Sequence, residues 1–128
     1  MPKSYFNPKN VFHRSSYSHA VKTGNMIFVS GQVAVDVRGE IVGRGIISIQ
    51  AEQAWVNMKY VLEAAGARLT DLVDVTTYIT DPKDIVVIRE VRERFFNHQD
   101  KPTSTLVVAK ELANPDLLIE IKGIAVLD

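Results

Sequence analysis

The stretch Pro102-Thr103-Ser104-Thr105-Leu106-Val107-Val108-Ala109, an Asn114-Pro115-Asp116 break, and then Leu117-Leu118-Ile119-Glu120-Ile121-Lys122-Gly123-Ile124-Ala125-Val126 reads as two strands. Both halves are rich in β-branched residues and bounded by turn formers. The second half alternates: Leu117, Ile119, Ile121, Gly123 and Ala125 fall on one face, and Leu118, Glu120, Lys122, Ile124 and Val126 on the other. Glu120 therefore stands mid-strand among aliphatics. A carboxylate there must face water or find a partner, because burying it unpaired is costly. Two readings stay open. Glu120 and Lys122 form a weak pair on a solvated face, or that face is covered by a second subunit and Glu120 lines a cleft.

Upstream, the periodicity predicts the elements that these strands join. Residues 3–16 carry at most one short strand. His19 to Thr23 and Met26 to Ser30 flank Gly24-Asn25, the signature of a hairpin with a tight primed turn. Met26-Ile27-Phe28-Val29 is apolar throughout, as in a strand covered on both faces. Gln32 to Val35 prolongs it, Asp36-Val37-Arg38-Gly39 turns, and Glu40-Ile41-Val42 returns. A helix follows from about Ile49 to Ala65, with Ser48 as N-cap and Gly66 at C′. Ala51, Ala54, Trp55, Met58, Val61, Leu62 and Ala65 make its apolar stripe. Gln50, Glu52, Gln53, Lys59 and Glu63 lie mostly away from the stripe, and Trp55 is a core residue. Leu72 to Thr80 is a strand. Asp81-Pro82 then caps and opens a second helix with Ile85, Val87, Ile88, Val91 and Phe95 inward. Arg89, Glu90, Arg92, Glu93 and Arg94 are solvated on this reading, and Asn97-His98-Gln99-Asp100 is loop.

This order predicts one two-layer α+β domain over residues 1–128, a mixed sheet with both helices on one face. The opposite face, expected to carry Leu106, Val108, Leu118, Ile124 and Val126, is too apolar to stay bare. Self-association is the expected cover.

Composition narrows the chemistry. The chain has 128 residues, 46% hydrophobic and 23% charged, as expected of one soluble globular domain. Fifteen basic side chains balance fifteen acidic ones, so nothing draws it generally to nucleic acid or an anionic membrane. The absence of cysteine excludes disulfides, thiolate nucleophiles and thiolate metal sites. Without an apolar leader or a run of transmembrane length, the expected location is cytoplasmic. His13, His19 and His98 show no metal-ligand spacing and read as surface or loop histidines. Ser30 lacks the preceding glycine of a nucleophile elbow, the glycines form no phosphate loop, and no basic stripe interleaved with aromatics is present. No metal site or cofactor is expected.

Three motifs in colinear order carry a resemblance. Gly24-Asn25-Met26-Ile27-Phe28-Val29-Ser30-Gly31-Gln32, the helix end Val61-Leu62-Glu63-Ala64-Ala65-Gly66, and Ile119-Glu120-Ile121-Lys122-Gly123-Ile124-Ala125-Val126 resemble the RidA/YjgF family from about Tyr17 to the C-terminus. The resemblance implies a chorismate-mutase-like α+β fold assembled as a homotrimer, with small-metabolite clefts between subunits. It implies hydrolysis of reactive enamines and imines to keto acids and ammonia, without metal or cofactor. Glu120 matches the glutamate that places water, Tyr17 the tyrosine at the cleft, and Gly31 the glycine whose backbone faces the ligand. By the same resemblance Ser30, Arg89, Ser104 and Leu106 are substrate contacts. This moves Glu120 toward the cleft reading.

One position departs. Deaminating members carry Pro-Ala-Arg-Ser/Thr, whose arginine clamps the substrate carboxylate through two parallel hydrogen bonds. Here the stretch is Pro102-Thr103-Ser104-Thr105, and Ser104 holds the arginine position. Losing a charge-assisted pair removes ~1.5–3 kcal/mol, one to two orders of magnitude in affinity. Arg89, otherwise a solvated helix charge, and Arg14 are the candidates to compensate. Three functions compete: a C–N hydrolase of altered specificity, a metabolite-binding or regulatory protein that keeps the cleft without the reaction, and a ribonuclease. Zero net charge and the lack of paired histidines count against the last.

Overall fold

In a computed structural model of the chain, which describes residues 1–97 and 100–128, the Gly24-Asn25 hairpin forms as expected. Strands β2 (Ala20–Thr23) and β3 (Met26–Val33) pair antiparallel with Thr23 opposite Met26. Gly24 turns the chain at a φ of +58°, a region glycine enters without steric cost. Strand β1 (Lys3–Phe6) pairs with β2 at the sheet edge. Helix α1 (Ile47–Ala64), β4 (Leu72–Ile79), α2 (Ile85–Phe95), β5 (Thr103–Val108) and β6 (Ile119–Val126) follow. The loop expected at His98 and Gln99 lies outside the described residues.

The strand order is β1-β2-β3-β6-β4-β5. All pairings are antiparallel except β4 with β5, which the α2 crossover makes parallel. The last strand inserts between β3 and β4, so β6 is central and its alternation sets the layers. Ile119, Ile121 and Ala125 are buried with Ala54, Trp55, Met58, Val61 and Leu62 of α1. Trp55 is core, stacked on Phe95 (6.1 Å) and edge-on to Phe96 (5.0 Å). Both helices cover one face of a mixed sheet, the two-layer α+β arrangement expected from the element order. Among the described residues no helix is long and apolar enough to cross a membrane.

Several expectations need correction. The helix α1 begins at Ile47 with Ile46 in the cap position and no side-chain cap, so Ser48 falls in the first turn. Asp81 does cap through its carboxylate, which accepts from the Lys83 amide, but it opens a 3-10 turn over Pro82–Asp84 that leads into α2. The return at Glu40-Ile41-Val42 shrinks to a single bridge, Val35 to Ile41. In β3, Ile27 and Val29 are buried while Met26 and Phe28 are exposed, so the protomer covers only one face of that run. The bare face also differs in content. Register pairs Leu106 with Thr77 and Val108 with Ile79, which puts both on the helix-bearing face of edge strand β5. Ile124 and Val126 lie on the bare face as expected, joined there by Met26, Phe28 and Val107, and the surface is still apolar.

Gln50, expected off the apolar stripe, is fully buried. Its Nε2 donates to the carbonyls of Asp116 (3.0 Å) and Gly43 (3.3 Å), and its Oε1 accepts from the Leu118 amide (2.8 Å). One side chain thus closes the backbone hydrogen bonds of the loop before α1 and of the chain leading into β6. Gln50→Leu keeps most of the volume and strands those groups. The expected destabilisation is ~2–4 kcal/mol, read as a shifted urea midpoint at unchanged slope and matched protein concentration.

Candidate active site

A bulge in β3 builds the site. Val29 faces Gly123 and Gln32 faces Ile121, so Ser30 and Gly31 together stand opposite Lys122 alone. The extra residue brings the Gly31 backbone against Glu120, which lies on the face of β6 turned away from the helices. A Cβ on Gly31 would sit 2.3 Å from Glu120 Oε2. Glycine is therefore what lets the carboxylate rest on the strand.

Glu120 is half-buried beside the small cluster of Val33, Val35 and Leu117. Burial pushes its pKa above the ordinary carboxylate value, against the opposing pull of Arg14 and Lys122. Among the described residues no hydrogen bond ends on its carboxylate, so nothing in the protomer employs it structurally. Tyr17, about half exposed, borders both depressions that Glu120 and Gly31 line. Arg14 borders the smaller of these and lies 4.8 Å over the Phe12 ring.

The segment bearing Tyr17 is tied to the bulge. Ser30 Oγ donates to the Ser18 carbonyl (2.6 Å) and its amide to the His19 carbonyl (2.9 Å). His19 is buried, against the expectation of a surface or loop histidine. Its Nε2 meets the Phe12 carbonyl at 2.7 Å and its Nδ1 meets Gln32 Nε2 at 3.1 Å. A carbonyl only accepts and an amide nitrogen only donates, so both contacts are met by the neutral ring with its proton on Nε2. Gln32 Nε2 also donates to the Ser30 carbonyl (3.1 Å). His19 in turn sets its ring edge-on to Tyr17 at 6.2 Å. Sequence reasoning passed over His19 and Gln32, since the spacing of the three histidines carries no sign of a partner on the neighbouring strand.

The other expected site residues lie elsewhere. Ser104 and Leu106, paired with Val75 and Thr77, face the helix side. With Arg89 and Arg92 of α2 they border a cavity of about 160 Å³ floored by Trp55, Ile119 and Ile121. Arg92 Nη1 donates to Ser104 Oγ at 3.0 Å. Arg92, expected among the solvated charges of α2, is partly buried. Thus Tyr17, Ser30, Gly31 and Glu120 come together, Arg89, Ser104 and Leu106 come together, and the sheet separates the two groups within a protomer. No three His, Asp or Glu side chains among the described residues are grouped as metal ligands.

Comparison with known proteins identifies the family. The family model described as Endoribonuclease L-PSP matches residues 9–127. A RutC family protein of Pyrococcus horikoshii is 42% identical over 110 residues, 85% of each chain. A 2-iminobutanoate/2-iminopropanoate deaminase of Dermatophagoides farinae is 38% identical over 112 residues, 88% of this chain and 86% of the relative. The crystal structure of E. coli TdcF with bound serine superposes with a TM-score of 0.87 at 31% identity, covering 97% of this chain and 98% of that one. With the family match spanning nearly its whole length, the chain belongs to the RidA/YjgF family.

Proposed function

We propose that the protein is a cytoplasmic hydrolase that deaminates a small imine or enamine in a cleft shared between protomers of a homotrimer. The observation that carries this reading is the Glu120 carboxylate, held on the Gly31 backbone with a raised pKa and no structural partner, beside Tyr17. Buried acids without structural employment mark functional sites. Glu120 takes a proton from a water as that water attacks the imine carbon. The carbinolamine that forms then collapses, with the proton passing to nitrogen. The C–N bond breaks, ammonia leaves and a carbonyl remains. Tyr17 and the Gly31 backbone position the substrate.

The sheet that separates Glu120 from Ser104 and Arg89 supports the shared cleft. Only a neighbouring copy can bring both groups to one substrate, and the apolar face of Met26, Phe28 and Val126 supplies the contact. Sedimentation velocity is expected to give a trimer at micromolar concentration, and a stable monomer would remove the shared cleft. A coupled assay with freshly generated 2-iminobutanoate is expected to give ammonia release above buffer. Equal release from Glu120→Gln would remove the hydrolase.

Binding without turnover is the second reading, favoured by Ser104 at the arginine position of the resemblance. It predicts thermal stabilisation by small carboxylates in the absence of product. The ribonuclease reading loses further support because both ring nitrogens of His19 are engaged.

A further inference from the structure

The cavity on the helix side carries two positive charges and no negative one. Arg89 and Arg92 are three residues apart, so they share one face of α2. The rest of the lining is apolar apart from Thr77 and Ser104. The ion pairs among the described residues are Arg38–Glu40, Arg44–Asp116 and Lys101–Glu93, and neither arginine enters one. The Glu93 carboxylate beside Arg92 in sequence is occupied by Lys101 at 3.4 Å. Arg92 instead gives one N–H to the neutral Ser104 hydroxyl. Two like charges over an apolar floor repel each other and lack a counter-ion.

We infer that Arg92, oriented by Ser104 and assisted by Arg89, supplies the cation that holds the ligand's carboxylate in this protein. The inference rests on the proposed reading that the cleft takes a small imine. One hydrogen bond to Ser104 leaves four guanidinium N–H groups, enough for the two-oxygen, fork-like contact that a carboxylate offers. The cavity of about 160 Å³ fits a carboxylate with a short apolar tail. The floor of Trp55, Ile119 and Leu106 suits that tail. Arg92 touches the ligand, whereas Ser104 acts through Arg92 and is a positioning residue. The cation that β5 lacks is thus delivered from α2.

Isothermal titration of the full chain with 2-oxobutanoate, at low salt, tests this. Wild type is expected to bind. Arg92→Met is expected to raise Kd about tenfold to a hundredfold with no loss of melting temperature. Arg92→Lys, a point charge without the fork, is expected to fall between. Ser104→Ala is expected to raise KM severalfold at constant kcat, with Ser104→Thr restoring it. Arg92→Ser combined with Ser104→Arg, which moves the guanidinium back to the strand, is expected to recover binding. Undiminished binding by Arg92→Met would overturn the inference, as would tighter binding of inorganic phosphate or no binding of 2-oxobutanoate by wild type. Ammonia release with an unchanged KM in Arg92→Met would leave the hydrolase standing and the Arg92 site fallen. Arg92-dependent binding without any ammonia release would do the reverse.

Discussion

Glu120→Gln is expected to lower kcat/KM for imine hydrolysis by about two to four orders of magnitude while making the protein more stable at neutral pH. Both effects have one cause. The Gly31 bulge and the neighbouring aliphatic cluster desolvate the carboxylate, and burial raises its pKa despite Arg14 and Lys122. A raised pKa means that the folded state holds this proton more readily than the unfolded one. Stability therefore falls as pH climbs from the ordinary carboxylate value through the raised one, and stays lower above it. Glutamine has no charge to desolvate. Its stabilising effect should be absent in acid, grow across that window, and level off above it. The wild-type rate should rise across the same window, because the ionised carboxylate is the form that accepts water's proton. A melting-temperature difference that instead widens toward acid would contradict the burial argument, and a wild-type rate in the variant would contradict the chemical one. Stability given up at a reacting group is what a functional carboxylate on an otherwise consistent strand should show.

Why Glu120 was legible, and other parts were not, follows from what each depends on. The parity of β6 is local: apolar residues at every second position locate both faces without knowledge of any partner. The amphipathic helices and the Gly24-Asn25 turn are local in the same way. The parity of β5 is not, because Thr105, Leu106, Val107 and Val108 offer no clean alternation. Their faces are set by the parallel register with β4, which pairs Tyr78 with Val107 and Thr77 with Leu106. That is why Leu106 and Val108 were expected on the wrong side. Gln50 and His19 fail for a different reason. A buried polar side chain looks like a surface one until its partners are known, and these partners lie 68 residues away at Leu118 for Gln50 and 13 away at Gln32 for His19. Of the two arginines that border the helix-side cavity, the resemblance points to Arg89, while Arg92, the one that reaches Ser104, reads in sequence as a solvated charge of α2.

Gly31→Ala should cost about a hundredfold in rate with little change in stability. Gly31 is not among the glycines at positive φ, so an alanine meets no backbone strain there. What it meets is Glu120: the new methyl would lie 2.3 Å from Oε2, 2.7 Å from Cδ and 2.9 Å from Cγ. All three atoms belong to the free part of a flexible side chain that no hydrogen bond in the protomer restrains. The strand therefore stays and the carboxylate swings away, keeping the net cost within ~1 kcal/mol by urea titration. Swung outward, Glu120 regains water, and the pH midpoint of the residual rate should move back toward the ordinary carboxylate value. The decisive comparison is the double variant. If Gly31 acts only by seating Glu120, adding Gly31→Ala to Glu120→Gln should lose almost nothing further, because the contact it disturbs no longer carries a reacting group. Two full, additive losses would mean that the added methyl also disturbs the substrate held at the Gly31 backbone.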